Sequence, residues 1–249
     1  MSISPVDLRA EDVRDRFEKR EFSDADGGKL PYRLLKPKDY DVKKKYPLVV
    51  FLHGAGERGT DNNAQLVHGM ADFADDKIME KYPALVIAPQ CPEGKQWVEV
   101  PWTADEHRMP EQPSMPLRQT LELIAALQRE FPIDSTRIYI TGLSMGGFGV
   151  WDAIQRHPDL FAAAAPVCSG GDATLARKIK DVPVWAFHGD EDGVVKVRRS
   201  RDMISALKEA GGSPKYTEYK GAGHDSWAAT YRDPELYAWL FAQKRAAKP

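Results

Sequence analysis

The stretch Arg137–Arg156, RIYITGLSMGGFGVWDAIQR, joins an apolar, β-branched run to a helical pattern through a turn crowded with glycine. Its centre, GLSMG at 142–146, matches G-x-S-x-G in the strand–turn–helix context that this motif requires. A serine on so sharp a turn lies in strained backbone, where neighbouring β-carbons would clash, and this accounts for the glycines. The stretch predicts a reactive hydroxyl at Ser144; the alternative is an ordinary loop between a strand and a helix.

Similar apolar runs recur along the chain, and most precede a turn and a helical pattern. Apolar runs without strict alternation are typical of buried, parallel strands. The pattern predicts an α/β fold with a mostly parallel sheet of about eight strands and helices on both faces. One domain is expected over 1–249, with 1–15 peripheral. The predicted central strands are Leu48–Leu52, Ala84–Ala88, Arg137–Thr141, Phe161–Val167 and Val182–Phe187, the outer strands Arg16–Ser23, Tyr32–Pro37 and Lys215–Tyr219, and the clearest helices Leu117–Glu130, Gly147–Arg156, Lys196–Ala210 and Pro234–Lys244.

The segment Glu93–Pro116 interrupts this rhythm with four prolines, two tryptophans and no sustained periodicity. Structureless loops longer than about 12–15 residues are usually functional or disordered. This one follows the carboxyl end of a strand, where open α/β sheets bind ligands. Trp97 and Trp102 are therefore predicted substrate contacts, together with Phe148 behind the serine and Trp227 on a later loop. Packing is the alternative role for the tryptophans.

A serine hydroxyl needs a base, and the base needs a third group that orients it. His224, in the glycine-rich KGAGHDSW after the last strand, is the predicted base, whereas His188 at a strand end is predicted to be structural. The HGDED stretch supplies the acid, and Asp192 is favoured over Asp190, which directly follows a turn and can bond that turn's amides. A metal site in HGDED is a weaker alternative, because no cluster of further histidine or cysteine ligands accompanies it.

Two backbone N–H groups are also needed to hold the oxyanion that forms during attack. One is predicted to be that of Met145, directly after the serine, and the other that of Ala55 in HGAGERGTDN, with Gly56 as the alternative. The same loop spells G-x-G-x-x-G, a dinucleotide-binding pattern. That pattern should open a helix, but the polar TDNNAQ follows, so a nucleotide site is not favoured. No cofactor and no metal are expected.

Taken together, HGAGERGTDN, APQCP, GLSMGG, HGDEDGVV and GAGHDSW resemble α/β-hydrolases of the phospholipase/carboxylesterase type, a group with acyl-protein thioesterases, bacterial esterases and feruloyl-esterase-like enzymes. The resemblance covers about residues 30–244 and implies an α/β-hydrolase fold. The residues that it implies for catalysis are Ser144, Asp192 and His224, with Ala55 for the oxyanion. One departure is Lys196, where relatives often have proline.

The resemblance implies a serine carboxylesterase that forms an acyl-enzyme on Ser144. The short connection between the strands near Val167 and Val182 leaves no room for a large cap, so a small or aromatic carboxylic ester is the expected substrate. A peptidase or thioesterase of the same fold is an open alternative, because the same triad cleaves amides and thioesters. An inactive, hydrolase-like binding protein is a less favoured one.

The charge balance limits the partners. With 35 basic and 37 acidic residues, the net charge of -2 gives no field that attracts nucleic acid or an anionic membrane, and neither is expected as a partner. The charged N-terminus lacks a secretory signal's apolar centre, which predicts a cytoplasmic protein, or a secreted one if a leader was removed. Cys91 and Cys168 are predicted to be buried thiols. In the strand order that the resemblance implies, the strands before them lie about 14 Å apart, too far for a disulfide unless the loops bend towards each other. The sequence makes no prediction about oligomeric state.

Overall fold

The computed structural model describes residues 13–246, which are built around one eight-stranded sheet. The strands are β1 (Phe17–Ser23), β2 (Lys29–Leu35), β3 (Tyr46–Leu52), β4 (Leu85–Pro89), β5 (Ile133–Leu143), β6 (Ala163–Val167), β7 (Trp185–Gly189) and β8 (Lys215–Tyr219). Their order is β1-β2-β4-β3-β5-β6-β7-β8. The β1–β2 and β2–β4 pairs are antiparallel and the other neighbours are parallel, so the predicted sheet is confirmed.

Helices cover both faces of the sheet, as the alternation of elements predicts. They are α1 (Met70–Phe73), α2 (Asp76–Lys81), α3 (Met115–Glu130), α4 (Met145–Arg156), α5 (Arg198–Glu209), α6 (Trp227–Arg232) and α7 (Pro234–Ala242), with 3₁₀ turns at Ala55–Glu57, Ala64–Leu66 and Ala173–Ile179. Between residues 13 and 246, none of the helices has the length and apolar character needed to cross a bilayer.

The central strand β3 divides the core into two layers. Leu48, Val50 and Leu52 point to a cluster shared with α3, α4 and α5. Val49 and Phe51 point to the opposite cluster, which includes side chains of α1, α2, α6 and α7. Every residue of β3 is buried, because both faces of a parallel sheet are covered. Burial of each large apolar side chain contributes about 1.5–3 kcal/mol, which makes this strand a rigid base for the loop that follows it.

Several element bounds differ from the predicted ones by a few residues. β5 begins at Ile133 instead of Arg137, and β7 begins at Trp185 instead of Val182. The second difference follows from Pro183, which has no N–H to donate to a ladder. Residues 1–12 of the predicted peripheral segment lie outside the described residues, and a single domain over 1–249 stays a prediction.

The carboxyl ends of the parallel strands meet at one edge of the sheet. Because β3 and β5 are paired through Leu52 and Gly142, the loops that follow them start side by side. The strands β7 and β8 end next to each other through Gly189 and Tyr219. This edge therefore gathers the candidate residues from four separate parts of the chain: Ala55 after β3, Ser144 and Met145 after β5, Asp192 after β7 and His224 after β8.

Cys91 and Cys168 are buried free thiols, as predicted. They follow β4 and β6, which lie three positions apart in the strand order. Burial raises the pKa of the Cys91 thiol to about 12 and that of the Cys168 thiol still further above its ordinary range. Both side chains are therefore protonated thiols at neutral pH.

Candidate active site

Ser144 lies on the turn between β5 and α4, in backbone that non-glycine residues rarely adopt. Its φ is 50° and its ψ is −118°. Strain of this kind persists where the surrounding structure fixes it. Here the Ser144 amide donates to the Val167 carbonyl at 3.0 Å, and the Phe148 amide donates to the Ser144 carbonyl at 3.1 Å as α4 begins. The strained turn is thus held from the neighbouring strand and from the helix.

The glycines after the serine are required by close backbone approach. A β-carbon on Gly146 would lie 1.9 Å from the Leu52 carbonyl oxygen and 2.7 Å from that of His53. A β-carbon on Gly147 would lie 2.6 Å from the Val167 carbonyl oxygen. The first turn of α4 therefore packs directly on the ends of β3 and β6, which is the physical reason for the GLSMGG pattern.

Ser144, His224 and Asp192 form a continuous line of hydrogen bonds. The Ser144 hydroxyl lies 2.9 Å from His224 Nε2, and His224 Nδ1 lies 2.7 Å from Asp192 Oδ2. This is the relation that a nucleophile, a base and an orienting acid require. The structure thus brings together the three residues that the motifs single out.

Asp192 is held as a carboxylate by the chain around it. Its side chain is fully buried, and its Oδ1 accepts hydrogen bonds from the amides of Val194 at 2.8 Å and Val195 at 2.9 Å. Burial alone would raise the pKa of Asp192, but hydrogen bonds from His188, His224 and these two amides lower it below its ordinary range. The negative charge that orients and stabilises an imidazolium is therefore present at neutral pH.

The other two polar residues of HGDED have different contacts. Asp190 Oδ1 accepts a hydrogen bond from the Gly221 amide at 2.6 Å, so it binds the loop that carries His224. His188 is buried, and its Nε2–H is shared between the Val195 carbonyl at 2.9 Å and Asp192 Oδ2 at 3.1 Å. In the structure it is Asp192, and not Asp190, that reaches the imidazole of His224.

The buried thiol of Cys168 adjoins the triad. Cys168 Sγ accepts a hydrogen bond from the Ser144 amide at 3.3 Å, and together with one ring nitrogen of His224 and one carboxylate oxygen of Asp192 it forms a group within 4.8 Å. Such a trio could bind a soft cation. The buried thiol keeps its proton, however, and the other two side chains are already engaged with each other, so the group is better suited to fixing Ser144 than to binding metal.

Ala55 and Met145 begin neighbouring helical turns beside Ser144. Ala55 opens the 3₁₀ turn Ala55–Glu57 after β3, with Gly56 in its middle, and Met145 is the first residue of α4. Arg58 closes the first turn, because its Nε donates to the Ala55 carbonyl at 2.8 Å. The chain after Gly59 forms turns and a three-residue 3₁₀ segment in place of the helix that a dinucleotide site needs.

His53, directly before this loop, has a structural role that the motifs did not reveal. Its Nδ1–H donates to the Gly54 carbonyl at 2.6 Å and its Nε2 accepts from the Cys91 amide at 2.9 Å. Burial lowers the pKa of His53 to about 4, so the ring is neutral at neutral pH. The sequence carries no signal for this role, because a histidine at a strand end can equally be solvated. The ring nitrogens of His53 join the loops after β3 and β4.

Acid should destabilise the protein through His53. Its folded-state pKa of about 4 lies below the unfolded value of about 6.5, so its contribution to stability is complete above pH 6.5 and is lost as pH falls towards 4. The difference corresponds to about 3 kcal/mol. Urea denaturation at pH 7 and pH 4 should show a smaller loss in His53→Gln, which keeps an acceptor for the Cys91 amide. Equal losses in variant and wild type would contradict this assignment.

Two of the four predicted substrate contacts are buried, which corrects their assignment. Trp97 is fully buried, and its Nε1 donates to the His53 carbonyl at 3.0 Å. Its contact is therefore with the backbone at the start of the loop after β3. Phe148 is 1% exposed, and the Arg199 guanidinium lies over its ring at 5.1 Å. Both were assigned from their proximity to the site, but large rings next to a strand end also complete the core.

The other two aromatic residues are half-buried. Trp102 packs against the core from the long loop. Trp227 lies beside the imidazole, with ring centroids 5.3 Å apart and planes at 89°, and its other neighbour is the ring of His68 at 5.3 Å. The described structure therefore leaves Trp227 and Trp102 as the predicted residues that a substrate could contact.

The long segment after β4 is anchored by charged side chains, although the sequence predicts no regular structure there. Lys196, the residue that departs from the proline of relatives, lies on the loop before α5 and pairs with this segment. Arg199, on α5, pairs with it as well. The contacts are Lys196 Nζ to Asp105 Oδ1 at 2.6 Å, Arg199 Nη1 to the Ala104 carbonyl at 2.8 Å and Arg108 Nη1 to Asp172 Oδ1 at 3.2 Å. These contacts hold the segment in an ordered conformation beside Phe148.

Comparison with known proteins agrees with this architecture. A thermostable esterase of known structure superposes with a TM-score of 0.86 at 43% identity, over 94% of this chain and 64% of that one. Carboxylesterase SOBER1 of Arabidopsis thaliana is 23% identical over 189 residues, which are 71% of this chain and 82% of the relative. A bifunctional acetylxylan esterase/xylanase of Neocallimastix patriciarum is 29% identical over 100 residues, 40% of this chain, and the match spans 15% of its length.

The fold is therefore the α/β-hydrolase fold that the motifs predict. The family model described as "Putative esterase" matches residues 23–208, a span that includes the serine, the acid and the loop after β3. Since this is most of the chain, the protein belongs to that esterase family.

Proposed function

We propose that the protein is a serine carboxylesterase that hydrolyses small or aromatic carboxylic esters through an acyl-enzyme on Ser144. The observation that carries the proposal is the line of hydrogen bonds from Asp192 through His224 to the Ser144 hydroxyl. Membership of the esterase family supports the same reaction. The carboxylesterase and acetylxylan esterase relatives are likewise named for ester hydrolysis.

In the acylation step, the Ser144 oxygen attacks the ester carbonyl while His224 Nε2 takes the hydroxyl proton. Asp192 keeps the imidazole in the tautomer that leaves Nε2 free to accept, and its charge stabilises the imidazolium. The collapse of the tetrahedral intermediate releases the alcohol, which takes the proton from Nε2. Water then attacks the acyl-enzyme with His224 again as the base, and the acid product leaves.

The oxyanion of both intermediates is assigned to the backbone N–H groups of Ala55 and Met145. Donors that are fixed before the reaction stabilise developing charge without reorganisation, and each is worth about 10²–10³ in rate. The support for this assignment is their place in the fold: the two residues follow the neighbouring parallel strands β3 and β5, and each is the first residue of a helical turn.

The site is open, which suits a small ester. Only the 3₁₀ turn Ala173–Ile179 lies between β6 and β7, so no large helical cap is inserted there. Trp227 flanks the imidazole that protonates the leaving group, so an aromatic group on the ester has an apolar ring to contact there, and Trp102 on the long segment is the second proposed contact. The near-neutral net charge favours a small uncharged ester over a polyanion.

Turnover of a substrate panel tests the proposal. Nitrophenyl acetate, methyl ferulate, an acyl thioester and a nitroanilide peptide should be hydrolysed in the order aryl and feruloyl esters first, with the anilide slowest. A fluorophosphonate probe should label the folded wild type and fail to label Ser144→Ala. An unlabelled wild type would overturn the assignment as an enzyme. Faster cleavage of the thioester or of the anilide would make the protein a thioesterase or a peptidase that uses the same triad.

Removal of the Trp227 ring should weaken binding of aromatic leaving groups. An aromatic contact of about 1 kcal/mol corresponds to about a fivefold rise in KM for nitrophenyl esters in Trp227→Ala. Trp227→Phe should recover most of the affinity, and ethyl acetate should respond little. The matched control is Trp239→Ala, since Trp239 is also half-buried but packs on Trp185. A KM for nitrophenyl esters that is the same in both Ala variants would exclude Trp227 from the substrate contacts.

A further inference from the structure

Gln90 is a fully buried polar side chain that directly follows β4, in the APQCP motif. Its backbone is fixed, because the backbone N–H of Gln90 donates to the Pro31 carbonyl at 2.8 Å. An amide side chain without solvent must find its partners within the protein, so its contacts define what it is for. The side chain takes no part in the proposed acylation and deacylation steps.

Within residues 13–246 the side chain of Gln90 makes three hydrogen bonds, and each reaches the loop that carries Ala55. Its Oε1 accepts from the Asn62 amide at 2.7 Å. Its Nε2 donates to Asp61 Oδ1 at 2.7 Å and to the Glu57 carbonyl at 3.2 Å. Both amide hydrogens and the carbonyl oxygen are thus used on one segment, which fixes the rotation of the side chain and the position of the loop together.

The contacts hold the loop at the end of the turn that Ala55 begins. Glu57, whose carbonyl accepts from Gln90, is the last residue of that 3₁₀ turn. The next residue after Gln90 adds a backbone link, because the Cys91 carbonyl accepts from the Gly59 amide at 3.0 Å. The loop is therefore tied at its far end by β4, while Arg58 closes its near end on the Ala55 carbonyl.

We infer that Gln90 is a positioning residue that holds the Ala55 N–H in the direction of the oxyanion. This inference rests on the proposed function, because an oxyanion forms only if an ester is attacked. Donors must lie within hydrogen-bond distance of the oxyanion and not of the ground-state carbonyl, so a small displacement of the loop lowers kcat more than it changes substrate binding.

The variant Gln90→Glu distinguishes positioning from packing because its effect depends on protonation. As a carboxylate, residue 90 would place an oxygen against the Asp61 carboxylate and the Glu57 carbonyl, where the amide donates. As a neutral acid it regains one donor for Asp61 and keeps an acceptor for the Asn62 amide. Charged groups near this position include the Asp61 carboxylate and the guanidinium of Arg33, which donates to the Asn62 carbonyl and to the Asn63 side chain. Arg58 lies on the same loop, where its side chain donates to the Ala55 carbonyl.

The experiment is a comparison of kcat and KM for nitrophenyl acetate between wild type and Gln90→Glu from pH 6 to pH 9. At pH 9 the variant should show a kcat about 10- to 100-fold lower, with KM almost unchanged, since part of one oxyanion donor is lost. The ratio of the two kcat values should approach one as pH falls and the new carboxyl is protonated. Gln90→Met cannot be charged, so its kcat should be lower than that of the wild type by the same factor at every pH. This variant also tests the inference if Gln90→Glu does not fold.

Gln119 is a matched control. It is fully buried like Gln90, and its Nε2 also donates to a carboxylate, that of Asp24 at 2.9 Å, on the turn between β1 and β2. Gln119→Glu should lower the free energy of unfolding but leave kcat unchanged across the pH range. A pH-independent ratio for Gln90→Glu, or a kcat loss shared by Gln119→Glu, would overturn the inference while wild-type turnover leaves the proposed function intact. An inactive wild type would remove both.

Discussion

Replacement of Asp192 by Asn should lower kcat about 10⁴-fold. Asp192 Oδ2 accepts the Nδ1–H of His224 at 2.7 Å, which leaves Nε2 to accept the serine proton. An asparagine amide in this place donates to Nδ1 and moves the proton to Nε2, where it blocks the transfer. The loss of the buried negative charge also removes the stabilisation of the imidazolium.

Asp190→Asn is the matched control for this prediction. It changes the same functional group two residues away, on the same loop, and an asparagine oxygen still accepts from the Gly221 amide. Its kcat should stay close to that of the wild type. Both variants should be compared by steady-state kinetics and by thermal unfolding, so that a loss of folded protein is not counted as a loss of kcat. A larger kcat loss in Asp190→Asn would reverse the assignment of the acid.

The nucleophile, acid and base could be proposed from the sequence because each stands in a short motif with its own local reason. Ser144 needs glycine neighbours, and His224 needs a glycine-rich loop after a strand. The order of Ser144, Asp192 and His224 along the chain added a constraint that separate motifs do not carry. The sheet could also be predicted from the sequence, because runs such as LVVFL in β3 indicate a strand buried on both faces.

The supporting residues could not be predicted in the same way, because their roles arise from contacts across distant loops. Gln90 and His53 are polar residues next to strands, and in the sequence nothing distinguishes them from a solvated strand end. The substrate contacts were wrong for Trp97 and Phe148 for a related reason. Their proximity to the site was correct, but which face of a ring is covered depends on the neighbours, here the His53 carbonyl and the Arg199 guanidinium.

The charged contacts that hold the long segment after β4 could not be predicted from the sequence either. Four prolines and no periodicity indicate an irregular loop, and this description is right for 93–114. Its order comes from partners on α5 and the segments around it, such as Lys196 and Arg199. The residue that departs from the relatives' proline thus has a contact of its own, an ion pair with Asp105. Both partners are more than half exposed, so this pair contributes little to the free energy of unfolding.

Gly146→Ala should be the most destabilising single-methyl change in the site, with a cost above about 4 kcal/mol or no folded protein at all. The new β-carbon would lie 1.9 Å from the Leu52 carbonyl oxygen and 2.4 Å from the carbon of the same carbonyl. These atoms belong to the end of β3, which is paired on both sides and buried, so they cannot move aside as a flexible side chain would. Any shift that relieves the contact displaces the start of the loop after β3 as well.

Gly56→Ala isolates the backbone contact from the general effect of adding a methyl group. A β-carbon on Gly56 would meet no atom within 4 Å, and its backbone lies outside the left-handed region that alanine avoids. Its stability should equal or slightly exceed that of the wild type, because alanine lowers the entropy of the unfolded chain by an amount worth about 0.4–1 kcal/mol. Urea denaturation of the two variants is the measurement. If Gly146→Ala unfolds at the same urea concentration as Gly56→Ala, α4 does not need a glycine to pack on β3, and the close backbone approach at the Ser144 turn is wrong.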